Sequence, residues 1–359
     1  MKAPRTVVLA NPYAIGDTVM MLPLAGAIRR HWPDVKLHFA GRQLALVRAC
    51  EFFDSVIDSE EIIADPAMLK RLGTDVFLNP FSCNDMARAA FAARVPIRVG
   101  NLFRRRSAAF HNRFVAYGNT GYSHMLGFAL RHVKALGVPV DPLPSDPREL
   151  FGLTRVGPPP EKLRQQLDPG RFNLILHPKS GGNGREWPVE HYLELARTLG
   201  KTNRFKLFLT GAENERQVVE RDCPELLRSD LTTNVMGTLS QAEMIAFINV
   251  ADGLLASGTG PLHIAAALGR RALGIYATGP TLDPTSWRPV GPFARTLCSP
   301  GRCKPGSQTC PKKTGPPCSC TRALKPDEVV SRLVMPAFQS GSGELRWREL
   351  PGGSVGLAI

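Results

Sequence analysis

Short apolar runs alternate along the chain with segments whose apolar residues recur every three or four positions. The first run, Val7-Val8-Leu9-Ala10, leads through a small-residue loop at 11–17 into a helical pattern at Val19, Met20, Leu22, Ala25 and Ile28 that closes on Arg29, Arg30 and His31. Basic residues at that end suit the helix dipole. Further runs at 36–40, 56–57 and 76–78 read as the next strands of one unit. The same grammar restarts at Leu174-Ile175-Leu176, with a helix expected over 189–199, a strand over 205–209 and a helix over 213–221. Strands follow near 253–256 and 272–276, with a helix between them over 261–268. This alternation predicts parallel sheets with crossover helices, an α/β protein.

Between the two units the segment 138–160 is rich in proline and aperiodic, which predicts an extended connection. The expected division is a Rossmann-like domain over 1–157, a second over 158–335 and a tail over 336–359. At 359 residues the chain is long enough for two such cores. Ligands of doubly wound sheets sit beyond the carboxyl ends of the strands, so chemistry is expected in the strand-to-helix loops.

Charge changes the picture more than composition does. Lys and Arg total 45 against 31 acids, a formal net charge of +14, which implies an anionic partner: nucleic acid, a membrane surface or a phosphorylated substrate. Glycine and proline are dispersed rather than repeated, excluding collagen-like and low-complexity classes. No apolar run approaches the roughly 18 residues of a membrane span. The apolar stretch at 7–10 is too short for a signal-peptide core, so a cytoplasmic protein is expected. Five of the eight cysteines, Cys298, Cys303, Cys310, Cys318 and Cys320, fall at spacings of 5, 7, 8 and 2. That is not the paired Cys-x-x-Cys pattern of a zinc ribbon, and the cluster reads as a loop feature ahead of a metal site.

Three loops carry candidate chemistry. In the first, Ile15-Gly16-Asp17-Thr18 puts a carboxylate where the first strand turns into the first helix. It reads both as a helix N-cap and as a general base for a nucleophilic hydroxyl, and the two roles are compatible. The second runs from His177-Pro178-Lys179-Ser180-Gly181-Gly182 to Arg185-Glu186-Trp187-Pro188. Its glycines let amides approach an anion and Lys179 and Arg185 add charge, without the spacing of a Walker loop. The third is Ser257-Gly258-Thr259-Gly260-Pro261-Leu262-His263, with Thr259 at the N-cap position and Pro261 in the first turn of an Ala-rich buried helix whose free amides form a phosphate site. His263 reads as an inward-facing histidine with satisfied hydrogen bonds rather than a catalytic group.

Together with Leu22-Pro23-Leu24-Ala25, His191-Tyr192, Leu209-Thr210-Gly211, Gly279-Pro280-Thr281 and Trp287, these loops follow an order in which the chain resembles glycosyltransferase family 9, the lipopolysaccharide heptosyltransferases. The resemblance implies a GT-B fold: two Rossmann-like parallel-sheet domains facing a central cleft, the first for the acceptor and the second for a nucleotide sugar. It implies inversion at the anomeric carbon without a metal or other cofactor. Asp17 is then the general base on the acceptor hydroxyl, Arg185 stands against the donor diphosphate and Ser180 contacts phosphate. The amides of Thr259 and Gly260 lie beneath the diphosphate, and Glu215 falls near the ribose. The implied donor is ADP-heptose and the implied acceptor an anionic inner-core glycolipid carrying Kdo and heptose. Two positions depart from the family pattern. Gly258 stands where an Asp is usual, which leaves open a different donor or acceptor, or a non-catalytic relative in envelope assembly. Glu186 stands where a neutral or basic residue is common, and either pairs with Arg185 or faces solvent.

The charge excess is local. Residues 86–140 contain no Asp or Glu but hold Arg88, Arg94, Arg98, Arg104, Arg105, Arg106, Arg113, Arg131 and Lys134, and the cysteine segment adds Arg302, Lys304, Lys312 and Lys313. The first set reads as a surface that binds acceptor carboxylates or phosphates, with Arg94 and Arg98 as contacts. It also holds the enzyme peripherally at anionic lipid on the inner face of the inner membrane, with Phe103, Phe110 and Phe114 contributing. The bland alternative is a solvated basic face. No nucleic-acid motif accompanies the charge, and no nucleic-acid partner is expected.

Overall fold

The computed structural model describes residues 2–102, 105–116, 124–182, 184–278, 284–302, 319–334, 346–350 and 354–358. Phe103, Arg104, Gly279-Pro280-Thr281, Cys303, Lys304, Cys310, Lys312, Lys313, Cys318 and much of the expected tail lie outside them. The chain forms two compact units, Met1–Arg155 with Arg346–Ala358, and Val156–Leu345.

In the first unit six parallel strands, β1 (Thr6–Asn11), β2 (Lys36–Gly41), β3 (Ser55–Asp58), β4 (Val76–Asn79), β5 (Ile97–Asn101) and β6 (Arg113–Val115), lie in the order β3-β2-β1-β4-β5-β6. This is the doubly wound order of dinucleotide-binding folds, reversing direction between β1 and β4. Every residue of β1 is buried, as a central strand covered on both faces requires. The helical pattern after β1 forms two pieces, Ile15–Val19 and Leu22–His31. Pro23 explains the break: lacking an N–H, it is accommodated in the first turn of a new helix and not inside a continuing one. The connection is not extended throughout. Pro147–Phe151 is a helical turn, capped by Asp146 and closed by Gly152 at φ 64°. Leu150 and Phe151 are buried, and Glu51 N donates to Gly152 O at 2.8 Å. Two apolar residues within a polar, proline-rich segment thus dock it onto the first unit.

The second unit repeats the plan with β7 (Phe172–His177), β8 (Phe205–Leu209), β9 (Thr232–Asn234), β10 (Gly253–Ser257), β11 (Arg271–Thr278) and β12 (Ala294–Arg302), ordered β12-β11-β10-β7-β8-β9 and parallel. Its reversal falls between β7 and β10. Trp187, Tyr192 and Leu195 pack with Leu255, Ile275, Leu324 and Leu333, and the Trp187 indole donates to Leu324 O at 2.9 Å. That anchor fixes the far end of the glycine-rich loop. Two further strands, β13 (Arg346–Leu350) and β14 (Ser354–Ala358), pair antiparallel.

Candidate functional site

The loops leaving β7 and β10 meet at the switch point of the second sheet. The first folds around the Glu186 carboxylate: Oε1 accepts from the Ser180 amide and the Ser180 hydroxyl, each at 2.8 Å, while Oε2 is ion-paired with Lys179 Nζ. Glu186 is buried. It therefore pairs with Lys179 and does not face solvent. The chain reverses at Gly181 (φ 55°) and Gly182 (φ 83°), a left-handed conformation open to glycine, and so carries 179–180 back over 186. Lys179 is neutralised inside the loop, and Arg185, half-buried, is the loop's other cation. The Ser180 hydroxyl also accepts from Gly184 N at 3.1 Å, so it organises the turn.

Glu215 is buried and joins this loop to the one after β8. One oxygen accepts from Gly181 N at 2.7 Å and the other from Ala212 N at 2.8 Å, at the start of the helix Glu213–Asp222. Both oxygens are engaged with backbone, which makes Glu215 a brace of the site. His177 sits beneath, with Nδ1 3.0 Å from the Thr210 hydroxyl and Nε2 4.0 Å from Glu215. Burial pulls its pKa below the ordinary value, while Glu215 and Glu186 pull the other way.

In the third loop Trp187 N donates to the Ser257 hydroxyl at 2.9 Å. Thr259 is the N-cap of the helix Gly260–Ala267, in extended conformation, with Pro261 in the first turn. Its side chain makes no capping bond. Thr259 is 6 % exposed, and its buried hydroxyl has no hydrogen-bond partner among the described residues. His263 is likewise buried, and its Nδ1 has no partner there, contrary to the satisfied histidine expected from sequence. Burial pulls its pKa to about 4, so the ring is neutral near pH 7. Gly258 has a steric cause: a Cβ there would stand 2.7 Å from Tyr276 Cε1 and 3.2 Å from Cζ.

In the first unit Asp17 is not the N-cap. Ala14 occupies that position, and Asp17 is the third residue of Ile15–Val19, half-buried at the helix's positive end. The loop before it is set by Asn11, which donates to the Thr18 hydroxyl at 2.9 Å and accepts from Tyr13 N at 3.3 Å. Across the reversal, buried Ser82 has φ 50°, and its hydroxyl donates to Asn79 O and accepts from Asn101 N at 2.9 Å. Asn79, Ser82 and Asn101 were not singled out from sequence, although β1, β4 and β5 each end on asparagine.

Arg94 is exposed. Arg98 instead turns into the fold, where Nε donates to Phe110 O at 2.7 Å, Nη1 donates to Val95 O at 2.5 Å, and the guanidinium lies 5.3 Å from the Phe91 ring centre. Those carbonyls hold its Nε and Nη1. Phe110 packs edge-on against Phe91, while Phe91, Leu102 and Phe114 are exposed. Among the described residues no group of three or more His, Cys, Asp or Glu could hold a metal ion, and no helix is long and apolar enough to cross a membrane.

Comparison with known proteins agrees with the resemblance. Residues 155–314 match the sequence model of glycosyltransferase family 9 (heptosyltransferase). The chain is 22 % identical over 288 residues to lipopolysaccharide core heptosyltransferase OpsX of Haemophilus influenzae, covering 77 % of this chain and 80 % of that one. In fold it is similar to the ADP-heptose lps heptosyltransferase II of E. coli, with a TM-score of 0.71 at 18 % identity over 94 % of this chain and 100 % of the other. It is also similar to the E. coli heptosyltransferase WaaC with ADP, at 0.69 and 16 % over 91 % and 98 %. The fold is GT-B.

Proposed function

We propose, with residues 155–314 belonging to glycosyltransferase family 9, that the protein is a lipopolysaccharide heptosyltransferase: it moves a heptose from ADP-heptose to an anionic inner-core acceptor, with inversion and without a metal. The observation that carries this reading is the Thr259 helix start. It combines free backbone amides with a buried hydroxyl that has no partner among the described residues, at the switch point where doubly wound sheets bind nucleotides. A protein of the same fold was solved with ADP.

The donor diphosphate rests on the amides of Thr259 and Gly260, with Arg185 opposing its charge. As the bond from the anomeric carbon to the diphosphate breaks, negative charge grows on the leaving group, and preplaced amides and guanidinium stabilise it. Asp17 accepts the proton of the acceptor hydroxyl as that oxygen attacks from the opposite face, so one C–O bond forms, one breaks and configuration inverts. Ser180 and Glu215 hold the donor loop in shape.

Arg94 and its basic neighbours meet the acceptor's acidic groups. The same surface, where Phe91, Leu102 and Phe114 are exposed among exposed Arg88, Arg94, Arg106 and Arg113, supports peripheral contact with anionic lipid at the cytoplasmic face of the inner membrane. Gly258 favours one alternative, the same chemistry on another nucleotide sugar. Calorimetric titration with ADP-, UDP- and GDP-sugars separates the two: ADP-heptose is expected to bind tightest, and Asp17→Asn to bind it equally well. Tighter binding of another nucleotide sugar selects the alternative, and binding of none overturns the donor reading.

A further inference from the structure

One buried side chain joins the third loop to the strand beyond it and has no part in the chemistry above. Tyr276, in β11, is 3 % exposed, and its ring lies against two glycines. A Cβ at Gly258 would come within 2.7 Å of Cε1, and one at Gly274 within 2.6 Å of Cε2. At the other end of the ring the hydroxyl donates to Trp287 O at 2.7 Å. Trp287 ends the helix Pro284–Trp287 and sets its indole edge-on to His263, ring centres 6.5 Å apart. His263 lies four residues beyond Thr259, in the helix that Thr259 precedes. From the far side the glycine-rich loop closes in: a Cβ at Gly184 would stand 2.9 Å from Gly258 O. Gly258 is thus held between Tyr276 and Gly184, and the residues flanking the Thr259 helix start converge on one phenol.

We propose that Tyr276 is a positioning residue for the donor diphosphate: packed on Gly258 and tethered to Trp287, it fixes the Thr259 helix start, and its ring is the reason position 258 is glycine. The inference rests on the donor reading above and deepens it. An aromatic ring wedged in a close-packed interior does not swing aside as the end of an exposed chain would, so a side chain at 258 displaces either the ring or the loop. The site therefore holds its donor at this point through backbone amides and the Thr259 hydroxyl, with no acidic side chain at position 258.

The test is calorimetric titration with ADP, paired with thermal melts and donor kinetics, on the wild type, Tyr276→Phe, Tyr276→Leu, Gly258→Ala and the double variant Gly258→Ala/Tyr276→Leu. Tyr276→Phe keeps the packing and loses the tether. It should melt cooperatively and bind ADP about fivefold more weakly, the size of one lost hydrogen bond, with the loss in donor KM and not in kcat. Gly258→Ala should weaken ADP binding at least as much, and the double variant should lose less than the two single losses combined, because removing the ring makes room for the methyl group. Wild-type affinity in Tyr276→Phe and Gly258→Ala, or fully additive losses in the double variant, would overturn the assignment. Failure of the wild type itself to bind ADP would instead overturn the donor reading, and this inference with it.

Discussion

Glu186 shows how much of the site depends on one carboxylate. It is buried, neutralises Lys179 and accepts from both the amide and the hydroxyl of Ser180. A buried pair is costly to break because the remaining charge has no counterpart. Glu186→Ala should therefore destabilise the second unit by about 3–5 kcal/mol, read as a shift of the urea midpoint, with Glu186→Gln losing less because it keeps an oxygen for Ser180. The residue types of the candidate loops were legible in the sequence: in the first unit a carboxylate after β1, and in the second unit glycines and cations after β7 and a Thr-Gly-Pro helix start after β10. Their partners were not. Nothing in the order Lys179 to Glu186 reveals that two glycines turn the chain back on itself, so the sequence left Glu186 between Arg185 and solvent. The same limit applies to Arg98, whose carbonyl partners depend on how the 91–112 segment folds.

Among the elements, those with continuous apolar runs were readable, because a strand covered on both faces has no polar positions to interrupt it. β5, with Arg98 inside it, and the short edge strands β6 and β9 lack that signature. The proline connection reads as extended for the opposite reason: Leu150 and Phe151 are too few to show a period, yet enough to bury. The helix Gly260–Ala267 carries its own prediction. Its N-cap hydroxyl is buried with no hydrogen-bond partner among the described residues, which supply nothing to offset its desolvation. Thr259→Val, which replaces the hydroxyl by a methyl group of similar size, should leave the melting temperature unchanged or raise it while weakening ADP binding. A variant that loses stability and retains ADP affinity would give the hydroxyl a purely structural role.

For the whole molecule, both units share a response to acid. His132 in the first unit and His263 in the second are held near about 4 by burial, and His177 is lowered by the same cause. Their unfolded forms take up protons below about pH 6.5, whereas the folded forms do not. Stability from these groups is complete above that pH and declines as pH falls towards 4. Melting temperatures measured across that window should drop, and His132→Leu should flatten the slope. The net charge of +14 has a similarly local origin, since the acid-free stretch 86–140 lies in the unit that also holds Asp17. In the proposed reaction Asp17 takes the acceptor proton as a heptose leaves a donor seated on the Thr259 helix start. Mass analysis of a truncated inner-core acceptor incubated with ADP-heptose tests it most directly, using wild-type protein and Asp17→Asn. The wild type should add one heptose and Asp17→Asn essentially none while still binding ADP; equal product from both would contradict it.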